Sequence, residues 1–104
     1  MFEFERLSVY EKAKKLNKSV TLFLENSLVD TITKSQLRRA SFSVMLNIAE
    51  GSGRSTNRDK RNFLVISRGS VFECVAIFDY LKDLNQINPV LNKFSKKIFL
   101  QFSS

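Results

Sequence analysis

Apolar residues return every three or four positions along most of this chain, and polar capping residues divide those returns into four blocks. Ser8-Val9-Tyr10-Glu11 reads as a capping box, in which a serine hydroxyl and a glutamate three positions on satisfy free N–H groups at a helix start. Val9, Ala13, Leu16, Val20 and Phe23 follow on one face, which predicts a first helix over 8–25. Thr33-Lys34-Ser35-Gln36 is a second box and Gly51 is placed as a C-cap, so a second helix is expected over 34–50. Thr56-Asn57-Arg58-Asp59, a looser box, precedes Phe63, Ser67, Ser70, Cys74, Phe78 and Leu81, predicting a third helix over 57–84. Asn88-Pro89 supplies an N-cap and a first-turn proline for a fourth over 89–102, with Leu91, Phe94, Ile98 and Phe102 as its stripe. No segment alternates as a strand would. The expected fold is all-α, one domain over 1–104, an antiparallel up-down four-helix bundle.

The second helix carries more than one core face. At about 100° per residue, Gln36, Arg39, Ser43, Asn47 and Glu50 collect into one stripe roughly 80° wide. Leu37, Ala40, Val44 and Ile48 lie on one flank, Phe42, Leu46 and Ala49 on the other, with Met45 between. A surface helix needs an apolar arc of only about 100°, and this one is more than twice as wide. Two surfaces are therefore expected to be buried, one in the bundle and one, carrying Phe42, Leu46 and Ala49, either under the fourth helix wrapping round or, as the small core favours, against a second copy of the chain. Glu50 stands in the last turn, where the helix dipole disfavours a carboxylate, so an arginine, Arg54 or one from the third helix, is expected to hold it. On the third helix Asp59, Asn62, Ser70 and Glu73 share one side and Arg58, Arg61 and Arg68 another. Gly69 costs about 1 kcal/mol relative to alanine there, and close approach of another helix would explain it.

Composition narrows the chemistry. The chain has no histidine, which removes the commonest general base and metal ligand and argues against an enzyme. Its one cysteine, Cys74, lies among apolar residues and reads as core, so neither an intrachain disulfide nor a cysteine zinc site is available. There is no run of about 18 apolar residues, so no membrane partner is expected, and Glu3 and Glu5 at the start are unlike a signal peptide. A cytoplasmic location is the expectation. Net charge is +7, and +6 of it falls between Lys34 and Arg68, where eight basic residues face Glu50 and Asp59 alone. Such a block suits a polyanion, or a solvated face that aids solubility. No cofactor is expected: "GSGRST" lacks the first glycine and the lysine of a phosphate-binding loop, and the third glycine of a dinucleotide fingerprint. Glu50 and Glu73 read as salt-bridge partners rather than as an acid–base or metal pair.

"QLRRASFSVMLNIAEGSGRS" from Gln36 to Ser55, "SRGSVFE" from Ser67 to Glu73 and "LSVYEKA" from Leu7 to Ala13 resemble the four-helix bundle proteins encoded in intervening sequences of bacterial 23S ribosomal RNA genes. Gly51, Gly53, Gly69, Ser70 and Glu73 belong to those motifs, while Met45 stands where that family usually has a proline. The resemblance implies an antiparallel bundle that assembles as a ring, commonly a homopentamer, without established enzymatic activity. The sequence is also similar to the accessory variability protein of diversity-generating retroelements, a basic pentameric bundle that binds nucleic acid and a reverse transcriptase. By that likeness the expected partners are the chain itself, RNA or DNA, and a protein such as a reverse transcriptase. Arg38, Arg39, Arg54, Arg58, Lys60, Arg61 and Arg68 are the candidate phosphate contacts. No zinc finger, recognition helix or RNA-stacking aromatic pair is legible, so phosphate and shape rather than base sequence would be read. An oligomeric adaptor or scaffold that binds no nucleic acid is the alternative.

Overall fold

The computed structural model describes residues 3–87 and 89–102, with side chains described for 5–87 and 90–101. Four helices follow in order: α1 (Glu3–Glu25), α2 (Thr31–Ser52), α3 (Asn57–Asp83) and α4 (Pro89–Phe102). Along each packed pair, residue numbers rise on one helix as they fall on the other: Arg39, Ser43 and Val44 of α2 meet Glu73, Ser70 and Ser67 of α3, and Phe72 and Asp79 of α3 meet Phe99 and Asn92 of α4. Ser41 of α2 donates to Asn17 of α1, Ser67 of α3 to the Val44 carbonyl of α2, and Asn92 of α4 to Asp79 of α3. Gln101 of α4 reaches Ser8 of α1. The helices therefore run alternately up and down, in the expected bundle.

The core follows the periodicity. Val9, Ala13, Leu16 and Val20 of α1, Leu37, Ala40, Val44 and Ile48 of α2, and Val71, Cys74, Phe78 and Leu81 of α3 are fully buried, joined by Leu91 and Ile98 of α4. Phe23 and Phe94 are half-buried against that cluster. Thr56 caps α3 as expected, its hydroxyl accepting from the Asp59 N–H at 3.1 Å.

Three expected boundaries move. α1 begins at Glu3, five residues before the capping box, and Ser8 is an interior position whose hydroxyl accepts from Gln101. α2 begins at Thr31 because Asp30 is the cap: its carboxylate accepts from the Thr33 N–H at 2.9 Å and the Thr33 hydroxyl at 2.7 Å, so Thr33 is a donor inside the first turn. α2 also runs through Gly51 to Ser52, and Gly53 is its C-cap, in right-handed geometry with φ −87°. Pro89 opens α4 as expected. The Asn88 cap and the Phe102 side chain lie outside the described residues.

Helix lengths set what lies where. At 1.5 Å per residue α3 is about 40 Å long and α4 only about 21 Å. With Phe99 against Phe72 and Asn92 against Asp79, α4 lies along the C-terminal half of α3. The N-terminal third of α3, which carries Arg58 and Arg61, extends past the end of α4.

Candidate nucleic-acid interface

The motif residues of α2 and α3 meet along one seam, and small side chains bring the two helices together. Ser67 is fully buried and its hydroxyl donates to the Val44 carbonyl at 3.0 Å, a contact that a longer side chain would block. One turn on, the Ser70 hydroxyl lies 2.7 Å from that of Ser43, which in turn accepts from the Asn47 amide at 3.0 Å. Beyond them Arg39 donates to Glu73 at 2.6 Å and to Gln36 at 3.1 Å. The polar stripe of α2 is therefore a ladder of bonds, most of them local, with Arg39 and Ser43 crossing to Glu73 and Ser70 of α3. Asn47 and Ser43 are half-buried in it, while Gln36, Arg39 and Glu50 reach solvent.

At the end of that seam Arg54 answers the problem of Glu50. Its guanidinium lies 2.7 Å from the Glu50 carboxylate and 4.7 Å from the centre of the Phe63 ring. Both charged side chains are about half exposed, so the pair is a surface bridge worth about 0.2–1 kcal/mol, not the buried one that a fully enclosed stripe would need. Gly51 has a different reason to be glycine: a methyl group there would lie 2.9 Å from Cβ of Phe63 and 3.3 Å from the Lys60 carbonyl. It permits close approach of α3 and does not end α2. Gly69, expected to admit a neighbouring helix, faces open space, since a methyl group there meets nothing within 4 Å.

The seven candidate cations are not one surface. Arg39 and Arg54 belong to the seam and already hold Glu73 and Glu50. Arg38 lines a shallow groove between α1 and α2 with Thr21, Leu24, Glu25, Lys34 and Ser35. Lys60 is half-buried. Arg58, Arg61 and Arg68 remain, all exposed on α3. Arg61 and Arg68 are seven residues apart and so point the same way about 10 Å apart along the axis. The Arg68 guanidinium stacks on Phe99 of α4 at 5.4 Å, which orients it while leaving its in-plane N–H groups able to donate.

The two flanks of the α2 stripe have different fates. Leu37, Ala40, Val44 and Ile48 are buried in the bundle. Phe42 is 39 % exposed, Leu46 54 %, and Ala49 also faces solvent. On α3, Ile66 is exposed beside the seam residue Ser67, whereas Val65 and Phe72 share the stripe of Arg61 and Arg68, with Phe72 packed edge-on against Phe99. Phe42, Leu46 and Ala49 stay open to solvent in the single chain.

Cys74 lies in the core, fully buried, rather than on the surface of the site. Burial, with a smaller contribution from the Glu73 carboxylate, pushes its thiol up to about 12 against the opposing effect of Arg39. Among the described residues no three carboxylate or cysteine side chains are grouped to hold a metal ion, and no helix is long and apolar enough to cross a membrane. Sequence reasoning overlooked a second basic surface on α1 and α4, where Lys15, Lys18, Lys93 and Lys97 are exposed. The two flanks of the arginine block nearly balance in charge when summed along the chain, so only placement in space could reveal it.

Compared with known proteins, residues 5–99 match the family model described as 23S rRNA-intervening sequence protein. No curated protein and no solved structure matches the chain.

Proposed function

The chain belongs to the family of 23S rRNA-intervening sequence proteins, and within it we propose a non-enzymatic, basic bundle that self-associates through the outer face of α2 and binds nucleic acid through its phosphates. The observation that carries the binding reading is the row of Arg58, Arg61 and Arg68 on α3: exposed, spaced for separate phosphates, and without a carboxylate partner among the described residues. Each would displace a condensed counterion on contact, and self-association would repeat the row once per subunit. Contacts to phosphate carry no base identity, so RNA and DNA are alike as ligands except where backbone geometry differs. The absence of histidine and the burial of Cys74 support a role without covalent or acid–base chemistry, and a cytoplasmic location suits an unpaired thiol. The exposed Phe42, Leu46 and Ala49 support the self-association, a ring of several copies such as a pentamer being the form we favour.

The test is fluorescence anisotropy of labelled RNA and DNA, single-stranded and duplex, across a salt series for the parent and the double variant Arg61→Gln, Arg68→Gln. Each lost phosphate contact should flatten the slope of log affinity against log salt by about 0.7–0.9, with all ligands weakened by similar factors. Unchanged slope and affinity would exclude the α3 row and leave the adaptor reading. Loss for one sequence only would show base readout.

A further inference from the structure

α1 and α4 run side by side on the other side of the bundle from the α2–α3 seam, and an open groove of about 450 Å³ lies between them, lined by Ser19, Leu22, Phe23, Val90, Leu91 and Phe94. Leu22 and Val90 stand on its lips, 59 % and 70 % exposed, while Phe23 and Phe94 are half-buried and form its floor with the buried Leu91. Lys15, Lys18 and Leu22 recur at three and four positions on α1, and Val90, Lys93 and Lys97 do so on α4, so each set is one stripe. The contacts of Gln101 with Ser8 and Lys12 fix the antiparallel register, which levels Leu22 with Val90 and Lys15 with Lys97. The groove thus has an apolar floor, and the lysine pairs beside it span about 4.5 Å on α1 and about 6 Å on α4, with Glu11 and Glu25 bounding the α1 stripe at its two ends. α4 contains no acidic residue, and among the described residues none of the four lysines forms an ion pair.

We propose that the α1–α4 groove docks an acidic amphipathic helix of a partner protein. A helix laid in the groove presents apolar side chains at one-turn spacing to Phe23, Leu91 and Phe94 and covers Leu22 and Val90, while carboxylates on its flanks meet Lys15, Lys18, Lys93 and Lys97. A nucleic acid would satisfy the lysines but leave the aliphatic lips in water. A bilayer takes up protruding apolar residues, whereas three of the groove's apolar side chains are recessed. The charge complementarity and the concave floor together select the acidic helix.

The probe is a fluorescein-labelled synthetic peptide of about five helical turns with leucine along one stripe and glutamate on the flanks, compared with a scrambled peptide of the same composition. The patterned peptide should bind the intact protein at least about ten-fold more tightly than the scrambled one. The double variant Lys15→Glu, Lys97→Glu changes only exposed side chains and should weaken that binding about ten-fold or more, as should Val90→Asn, which removes a lip. Arg61→Gln, Arg68→Gln should leave it unchanged, which separates this groove from the nucleic-acid row. Equal binding of the scrambled peptide, insensitivity to the lysine and lip variants, or lysine-dependent sedimentation with phosphatidylserine-containing vesicles in place of peptide binding would overturn the proposal.

Discussion

Gly51 and Gly69 both lie inside helices, and an added methyl group distinguishes them. At Gly51 it would press on Cβ of Phe63 at 2.9 Å, where the neighbour is the stem of a packed ring and cannot swing aside. Gly51→Ala should therefore lose about 1–3 kcal/mol through overpacking, a cost larger than the ~1 kcal/mol of helix propensity it gains. At Gly69 the methyl group meets nothing, and Gly69→Ala should gain about 0.5–1 kcal/mol in the isolated bundle. Urea unfolding of the two variants under conditions where the protein is monomeric checks both. A stable Gly51→Ala variant would mean that α2 and α3 are not as close as described. The sequence marks both positions simply as glycine in a good helix, and which one is crowded depends on a residue twelve positions away. The partner of Glu50 was legible because Arg54 lies one turn on. Its half exposure was not, because that depends on how far α3 covers the stripe.

Helix beginnings were readable at α3 and misleading at α2. Thr56, between the capping types Ser55 and Asn57, caps α3. At α2, Asp30 and Thr33 are both capping types. The carboxylate wins because it can accept from the Thr33 N–H and hydroxyl at once, which moves the start to Thr31. Accepting those bonds lowers the Asp30 carboxyl below the usual carboxylate value, the backbone bond from Thr33 being the larger cause. A group whose pKa is depressed on folding contributes stability that is present above its unfolded value, near 3.9, and is lost as pH falls through the folded one. Asp30→Asn keeps a capping oxygen but has no proton to lose. Thermal melts should therefore place the parent above the variant at neutral pH, with the gap closing below about pH 4. A gap that persists unchanged in acid would show that the charge of Asp30 contributes nothing to the cap. The four elements themselves were legible from periodicity. α4 was readable as a stripe, but its short reach along α3, which leaves Arg58 and Arg61 at an end without a fourth helix, depends on register and not on any local signal.

Across the whole molecule the exposed apolar and basic residues group by face. α2 carries Phe42, Leu46 and Ala49, the α1–α4 surface carries lysines beside Leu22 and Val90, and along α3 Arg61 and Arg68 alternate with Val65 and Phe72. The sequence revealed the double-flanked helix and the arginine block but not the α1–α4 surface, whose lysines are offset along the chain by the carboxylates of the same flanks. The account stands or falls on whether the α2 face is covered by other copies of the chain, since that both removes an apolar surface from water and multiplies the arginine row. A charge at Leu46, which is more than half exposed in the single chain, should leave the bundle folded and break the assembly. The measurement is light-scattering mass of the parent and of Leu46→Glu, each with circular dichroism to confirm helix. A self-associating parent has a mass several times the 12.0 kDa of the chain, and the helical variant falls to 12.0 kDa. A parent that runs as a 12.0 kDa monomer, or a folded Leu46→Glu variant with the parent's mass, would contradict it.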